Sequence, residues 1–206
     1  IHTDAVQAAG RMPLEMAALY ADYLSLSSHK IGGPQGTGAL LSAPGAPVPR
    51  LLHGGGQEKR QRAGTENVAG IAGFGAAAAY ALSHLETFRD LVKLRDQLEK
   101  SLQEIAPDMV VFGAQAPRVA NTLNIGVPGA NAQTFLMALD LEGLAVSSGS
   151  ACSSGTVKPS HVLAAMGVDP ALSAGALRFS LGWDTRPGDI TAAAAAFKKV
   201  IDRVRR

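Results

Sequence analysis

Apolar positions along the chain follow two rhythms. Leu91, Leu94, Leu98, Leu102 and Ile105 recur at threes and fours, the spacing of one helical face, and Pro107 ends the run. Ile190, Ala194, Phe197, Ile201 and Val204 make a second such face near the C-terminus. That helix closes on basic residues, which suit the negative end of a helix dipole. A third helix is predicted around Ala132–Leu141. A fourth is predicted from Thr65-Glu66 through Ala76–Ala81, with Thr65 as its cap and Glu66 in its first turn. Short apolar runs bounded by Gly and Pro predict strands at Tyr23–Leu26, Gly38–Leu41, Met109–Phe112, Thr122–Val127 and Ala145–Ser147. The opening Ile-His-Thr-Asp run also reads as the end of a strand, and because it begins without Met, further chain is expected ahead of it. The segment from Leu51 to Thr65 is polar, Gly-rich and aperiodic, so an ordered loop is expected. Alternating helices and strands indicate an α/β or α+β fold. A boundary near residues 80–90 separates a Gly-rich front from a unit of helices and strands.

Composition narrows the classes further. With 206 residues, 47% hydrophobic and 17% charged, the chain has the material for one large or two small packed domains. A net charge of +2 from scattered Lys and Arg gives no electrostatic case for nucleic acid. No apolar run reaches the roughly 20 residues needed to span a bilayer. The Ala-rich stretch from Gly70 to Leu82 is Gly-interrupted and is expected to be a buried helix. A single cysteine allows no internal disulfide, which fits a reducing, cytoplasmic setting.

Four clusters could carry chemistry, and each also has an ordinary reading. Ser27-Ser28-His29-Lys30, followed by Gly32, Gly33, Pro34, Gly36 and Gly38, could be a solvated turn lysine. Taken alone, the cluster favours that reading; the alternative is a lysine poised for a Schiff base, with Ser27 and His29 near a phosphate. Asp4 and Gln7 could sit in a plain surface loop, or could hold the ring of pyridoxal phosphate (PLP), Asp4 keeping the pyridinium nitrogen protonated and Gln7 bonding the ring hydroxyl. The run from His53-Gly54-Gly55-Gly56 to Gly64-Thr65 reads as an anion-binding loop ahead of a helix, because consecutive glycines cost backbone entropy and bury nothing. Cys152 stands among five serines and two glycines, from Ser147 to Gly155. Most lone cysteines are small buried hydrophobes, but these neighbours cannot wrap it in apolar surface, so an exposed thiol on a swinging loop is expected.

Five strings occur in family order: HTDAVQAAG, SLSSHKIGGPQGTGAL, HGGGQEKRQRAGTENVAGIAGFG, SSGSACSSG and LRFSLGWDT. Together they closely resemble the group I (NifS/IscS-type) cysteine desulfurases. The resemblance implies PLP fold-type I (class V aminotransferase-like). Residues 1–85 would be the C-terminal half of the PLP-binding large domain, and residues 86–206 a small α+β domain carrying the cysteine loop. It implies that Lys30 bears PLP and moves protons, that Asp4 and Gln7 hold its ring, and that Ser27 and His29 bind its phosphate. Thr65 would reach the phosphate of a neighbouring subunit in a homodimer, and Arg178 would hold the substrate carboxylate. Cys152 would take sulfur from L-cysteine as a persulfide, leave alanine, and pass the sulfur to an iron–sulfur scaffold or thiolation protein. No metal, nucleic acid or membrane partner is implied. The family's phosphate-binding turn, ring-stacking histidine and cofactor-proximal asparagine have no counterpart here, and Trp183 stands where some members carry arginine. A selenocysteine lyase-like enzyme and a non-catalytic interaction module are the alternatives.

Overall fold

A computed structural model of the chain describes residues 1–148 and 160–204. It resolves into two compact units, Ile1–Phe88 and Arg89–Arg206.

The first unit is built on a three-stranded sheet of order β1 (His2–Asp4), β2 (Tyr23–Ser27), β3 (Gly38–Ser42). β1 runs parallel to β2, with Asp4 opposite Ser25, and β3 returns antiparallel. A 3-10 turn, Ser28–Ile31, follows β2 and closes on Gly32 in the left-handed conformation. A second 3-10 turn, Glu58–Arg60, lies in the Gly-rich loop.

The helix α1 (Val68–Ser83) begins later than the sequence suggests. Its cap is Asn67, whose side-chain oxygen accepts from Gly70 N at 3.1 Å, and not Thr65. An Asn directly ahead of Val68 satisfies the first-turn donor, so Thr65 and Glu66 stay outside the helix. Nor is α1 buried all round. Gly70 and Phe74 face inward, while Val68, Ile71, Tyr80 and Leu82 are exposed, Leu82 at 77%. The turn Ser28–Ile31 and the loop after it meet only one side of the helix, and among the described residues nothing covers the other.

A short helix, α2 (Leu85–Arg89), leads to the second unit. Here β4 (Val110–Val111), β5 (Thr122–Gly126), β6 (Ser147–Ser148) and β7 (Ala176–Ser180) form an antiparallel sheet of order β4-β5-β7-β6. One face receives α3 (Leu91–Ile105), α4 (Ala132–Leu141) and α7 (Pro187–Val204). The inward positions Leu98, Leu102, Leu123, Ile125, Phe135, Leu177, Phe179 and Phe197 form the core there. The expected rhythm of α3 thus becomes a packing surface, while on α7 Ile190, Phe197 and Ile201 pack as expected but Ala193, Ala196 and Val200 complete the buried face and Val204 is exposed. Two small helices, α5 (His161–Ala165) and α6 (Pro170–Ser173), cover part of the opposite face through Leu163 and Leu172, against Phe112 and Ala176. Both begin on side-chain caps, Ser160 and Asp169. β6 falls at Ser147–Ser148 rather than Ala145–Ser147, because its ladder is set by Arg178 and Leu177 across the sheet.

The basic end of α7 does more than suit the helix dipole. Lys199 and Arg203 both pair with Glu142, just past α4, at 3.0 and 2.9 Å. The hydrogen bond from Lys199, followed by the charges of Lys199 and Arg203, holds the Glu142 carboxyl below its ordinary value despite some desolvation. A carboxyl lowered on folding stabilises above its unfolded pKa, and the contribution is lost as pH falls through the lowered folded pKa.

Phe197 is completely buried, with ring centroids 6.4 Å from both Phe135 and Phe179. Phe197→Ala removes the ring that joins helix to sheet. Denaturant unfolding should record a loss of about 3–5 kcal/mol. A loss below about 1 kcal/mol would contradict this core assignment.

Candidate functional site

The parallel pair β1–β2 decides which residues meet in the first unit. Asp4 is the last residue of β1 and Ser27 the last of β2, so both strands deliver their C-terminal ends to the same end of the sheet. That end of parallel strands is where open α/β sheets hold ligands. Side chains alternate across the sheet, so His2, Asp4, Ser25 and Ser27 share one face while Leu24 is buried on the other. His2 Nε2 and Ser25 Oγ lie 2.8 Å apart, and Ser27 Oγ lies 2.8 Å from His29 Nδ1. His2 and Ser25 do not stand out in the sequence by residue type alone. Their signal was the polar residue at every second position of two short strands.

The 3-10 turn then carries His29 and Lys30 outward, and both are exposed. Lys30 has no hydrogen-bond or ion-pair partner among the described residues, so its amine is available to a ligand. Beneath it, Ser28 is completely buried and its Oγ has no partner among the described residues. Asp4 Oδ1 accepts from Val6 N at 3.0 Å, which fixes the turn after β1. Gln7 lies in that turn, and its Oε1 accepts from Arg11 Nη1 at 2.6 Å. Thr65 is exposed two residues before the cap of α1, and no hydrogen bond ties it to this cluster among the described residues.

In the second unit, β7 alternates cleanly. Leu177 and Phe179 enter the core, while Arg178 lies on the opposite face, in register with Asn124 of β5 and Ser147 of β6. Arg178 is partly buried and has no hydrogen-bond or ion-pair partner among the described residues. A guanidinium amid polar neighbours on an open sheet face suits a planar anion such as a carboxylate. Cys152 lies outside the described residues. Among the described residues no group of three or more His, Cys, Asp or Glu side chains could hold a metal, and no single helix is long and apolar enough to cross a membrane.

The aminotransferase class-V family model matches residues 1–192, and the chain belongs to that family. It is 40% identical over 205 residues to the cysteine desulfurase IscS of Dictyoglomus turgidum, covering 99% of this chain and 52% of that protein. It is 43% identical to a cysteine desulfurase of Trichormus azollae, covering 99% of this chain and 51% of that one. The solved NifS-like protein from Rickettsia africae superposes with a TM-score of 0.87 at 39% identity, over 98% of this chain and 53% of that one. The chain therefore spans about half the length of the curated relatives it matches. Its mixed α/β architecture is that of PLP fold-type I. The cofactor of this family, pyridoxal phosphate, fits the donor set at the end of β1–β2: a free amine for its aldehyde, a carboxylate for its ring nitrogen, and a hydroxyl–imidazole pair for its phosphate.

Proposed function

We propose that the chain is part of a PLP-dependent cysteine desulfurase that converts L-cysteine to L-alanine and passes the sulfur on from Cys152. The observation that carries this reading is the delivery of Asp4, Ser27 and the Lys30 turn to one end of a parallel strand pair, in a chain of the class-V family. Residues 1–85 contribute to the cofactor domain and residues 86–206 form the small domain with the cysteine loop. When bound, the cofactor supplies an electron sink that makes bonds at the substrate's Cα and Cβ labile.

The chain's own residues have distinct tasks. Asp4 holds the proton on the ring nitrogen, and Gln7 bonds the ring hydroxyl. Ser27 and His29 take two phosphate oxygens, and Thr65 reaches the phosphate held by a second copy of the chain in a homodimer. Lys30 holds the cofactor at rest and carries a proton to and from the substrate's Cα. Arg178 grips the substrate carboxylate in a fork. The Cys152 thiolate attacks the substrate's sulfur: a sulfur–sulfur bond forms, the carbon–sulfur bond breaks, and its electron pair stays on Cβ, which takes a proton to become the methyl of alanine. The persulfide then passes to an acceptor protein for iron–sulfur assembly or thiolation, in the cytoplasm.

Product analysis with the intact protein tests the reading. Cysteine should give alanine and sulfane sulfur in equal amounts. Pyruvate and free sulfide instead would mean elimination at Cβ and would reject it. Selenocysteine consumed far faster than cysteine would reassign the enzyme as a lyase for selenium.

Arg178 and Thr65 should fail differently. Arg178→Ala removes a charge-assisted fork, and the apparent KM for cysteine should rise by about ten- to hundredfold while cofactor retention is unchanged. Thr65→Ala should speed cofactor loss on dialysis and leave KM within about twofold. Identical defects in both would show that the two residues do not divide the work in this way.

A further inference from the structure

The inward arc of α1 is built largely from small residues: Gly70, Gly73, Ala77 and Ala81, with Phe74 between them. Their spacings of three, four and four put them on one helical face. The loops bearing the candidate residues lie directly on this face. A Cβ at Gly70 would stand 2.4 Å from Thr37 Oγ1, and one at Gly73 would stand 2.6 Å from Pro34 Cγ. From the loop side, a Cβ at Gly33 would stand 3.1 Å from Ala77 Cβ and 2.2 Å from the buried, unpartnered Ser28 Oγ. A Cβ at Gly10 would stand 3.3 Å from Ala81 Cβ and 3.2 Å from Ile31 Cγ2.

These contacts join the two halves of the site. Thr37 and Gly33 both bond back to Ser28: Ser28 N donates to Thr37 O and Gly33 N donates to Ser28 O, each at 3.0 Å. Lys30 therefore rides on a closed loop whose base rests on α1. Gly10 follows the turn that holds Gln7, and a Cβ there would meet Ile31, the neighbour of Lys30. One helix face thus supports both the lysine loop and the turn after Asp4. Interior glycines weaken a helix, so at Gly70 and Gly73 they are explained by the close approach they permit.

We propose that this face is a positioning seat: Gly70 and Gly73, with Gly33 opposite, set the height of Lys30 relative to Asp4 and so its reach to the cofactor aldehyde. The inference rests on the assignment of Lys30 and Asp4 as cofactor-holding residues. These glycines are positioning residues and touch neither cofactor nor substrate. Tight contact across bare backbone has essentially one solution, so the loop cannot drift by the fraction of an ångström that spoils a reactive geometry.

The experiment compares the intact wild-type protein with Gly73→Ala, Gly75→Ala, Pro34→Ala and the Gly73→Ala/Pro34→Ala double variant. Gly75 is on the same helix, but a Cβ there meets nothing within 4 Å among the described residues, so its substitution controls for helix propensity. Each apo-protein is mixed with pyridoxal phosphate, quenched with borohydride at intervals, and mapped for label on Lys30 across a pH series. Gly73→Ala should slow capture by about tenfold and shift its pH midpoint, because a misplaced amine reacts poorly even in a folded protein. Gly75→Ala should match wild type. The double variant, in which Pro34 no longer has a Cγ to strike, should return to the level of Pro34→Ala alone.

Wild-type capture kinetics and pH midpoint in Gly73→Ala would overturn the seat while leaving Lys30 assigned. If Gly73→Ala does not fold, recovery of folding and capture in the double variant supports the proposal, and failure of both overturns it. Absence of label on Lys30 in the wild type would overturn the functional reading together with this inference.

Discussion

Cys152→Ser in the intact protein should keep the cofactor spectrum, still change colour when cysteine is added, and form no persulfide. On the proposed mechanism, everything that precedes sulfur transfer depends on Asp4, Lys30 and the bound ring, and none of it needs a thiol. The transfer itself needs a soft, ionised acceptor. A serine hydroxyl is hardly ionised near neutral pH and is poorly matched to sulfur, so alanine formation should fall by at least about 10³-fold. Mass spectrometry after cysteine treatment is the check: a sulfur adduct on the Cys152 peptide in wild type and none in the variant. Normal sulfur delivery to an acceptor protein by Cys152→Ser would defeat this part of the mechanism.

Lys30→Ala should have the larger effect on the cofactor. The amine is exposed and has no partner among the described residues, and on the proposed assignment its removal leaves Ser27, His29 and Asp4 to hold the cofactor only non-covalently. The proton carried at Cα is lost as well. Turnover should fall by about 10³-fold or more, and a small amine added to the buffer should restore part of it by standing in for the missing base. Retained covalent cofactor in Lys30→Ala would mean that another lysine does this work.

Much of this was legible in the sequence because period and chemistry agreed. The three-and-four spacing of Leu91–Ile105 became the packing face of α3, Ile190, Phe197 and Ile201 became part of that of α7 although Val204 is exposed, and Asn131 sits as the cap immediately ahead of the expected helix at Ala132. Other features were hidden for physical reasons. β7 alternates inward Leu177 and Phe179 with outward Arg178, but in the sequence these residues stand out only as part of the LRFSLGWDT string and no strand is predicted there. α5 and α6 are too short to show a period, and only their caps, Ser160 and Asp169-Pro170, announce them. Thr65 is a good cap by residue type, but Asn67, directly ahead of Val68, is the one that caps α1. The apolar composition of α1 suggested burial on every side, yet composition cannot say how many layers a helix is given.

The site divides the same way. Lys30, Asp4 and Arg178 could be singled out by residue type and neighbourhood. The partnership of His2 with Ser25, the orphaned hydroxyl of Ser28, and the glycine face beneath the lysine loop depend on strand register and on contacts between segments some 40 residues apart.

The central claim is that Lys30 is the residue that bonds the cofactor, and peptide mapping of the borohydride-reduced intact protein tests it most directly. The account predicts a pyridoxyl group on the peptide containing Lys30 and on no other. A pyridoxyl group on Lys59, Lys93 or any other lysine, with Lys30 unmodified, would contradict it.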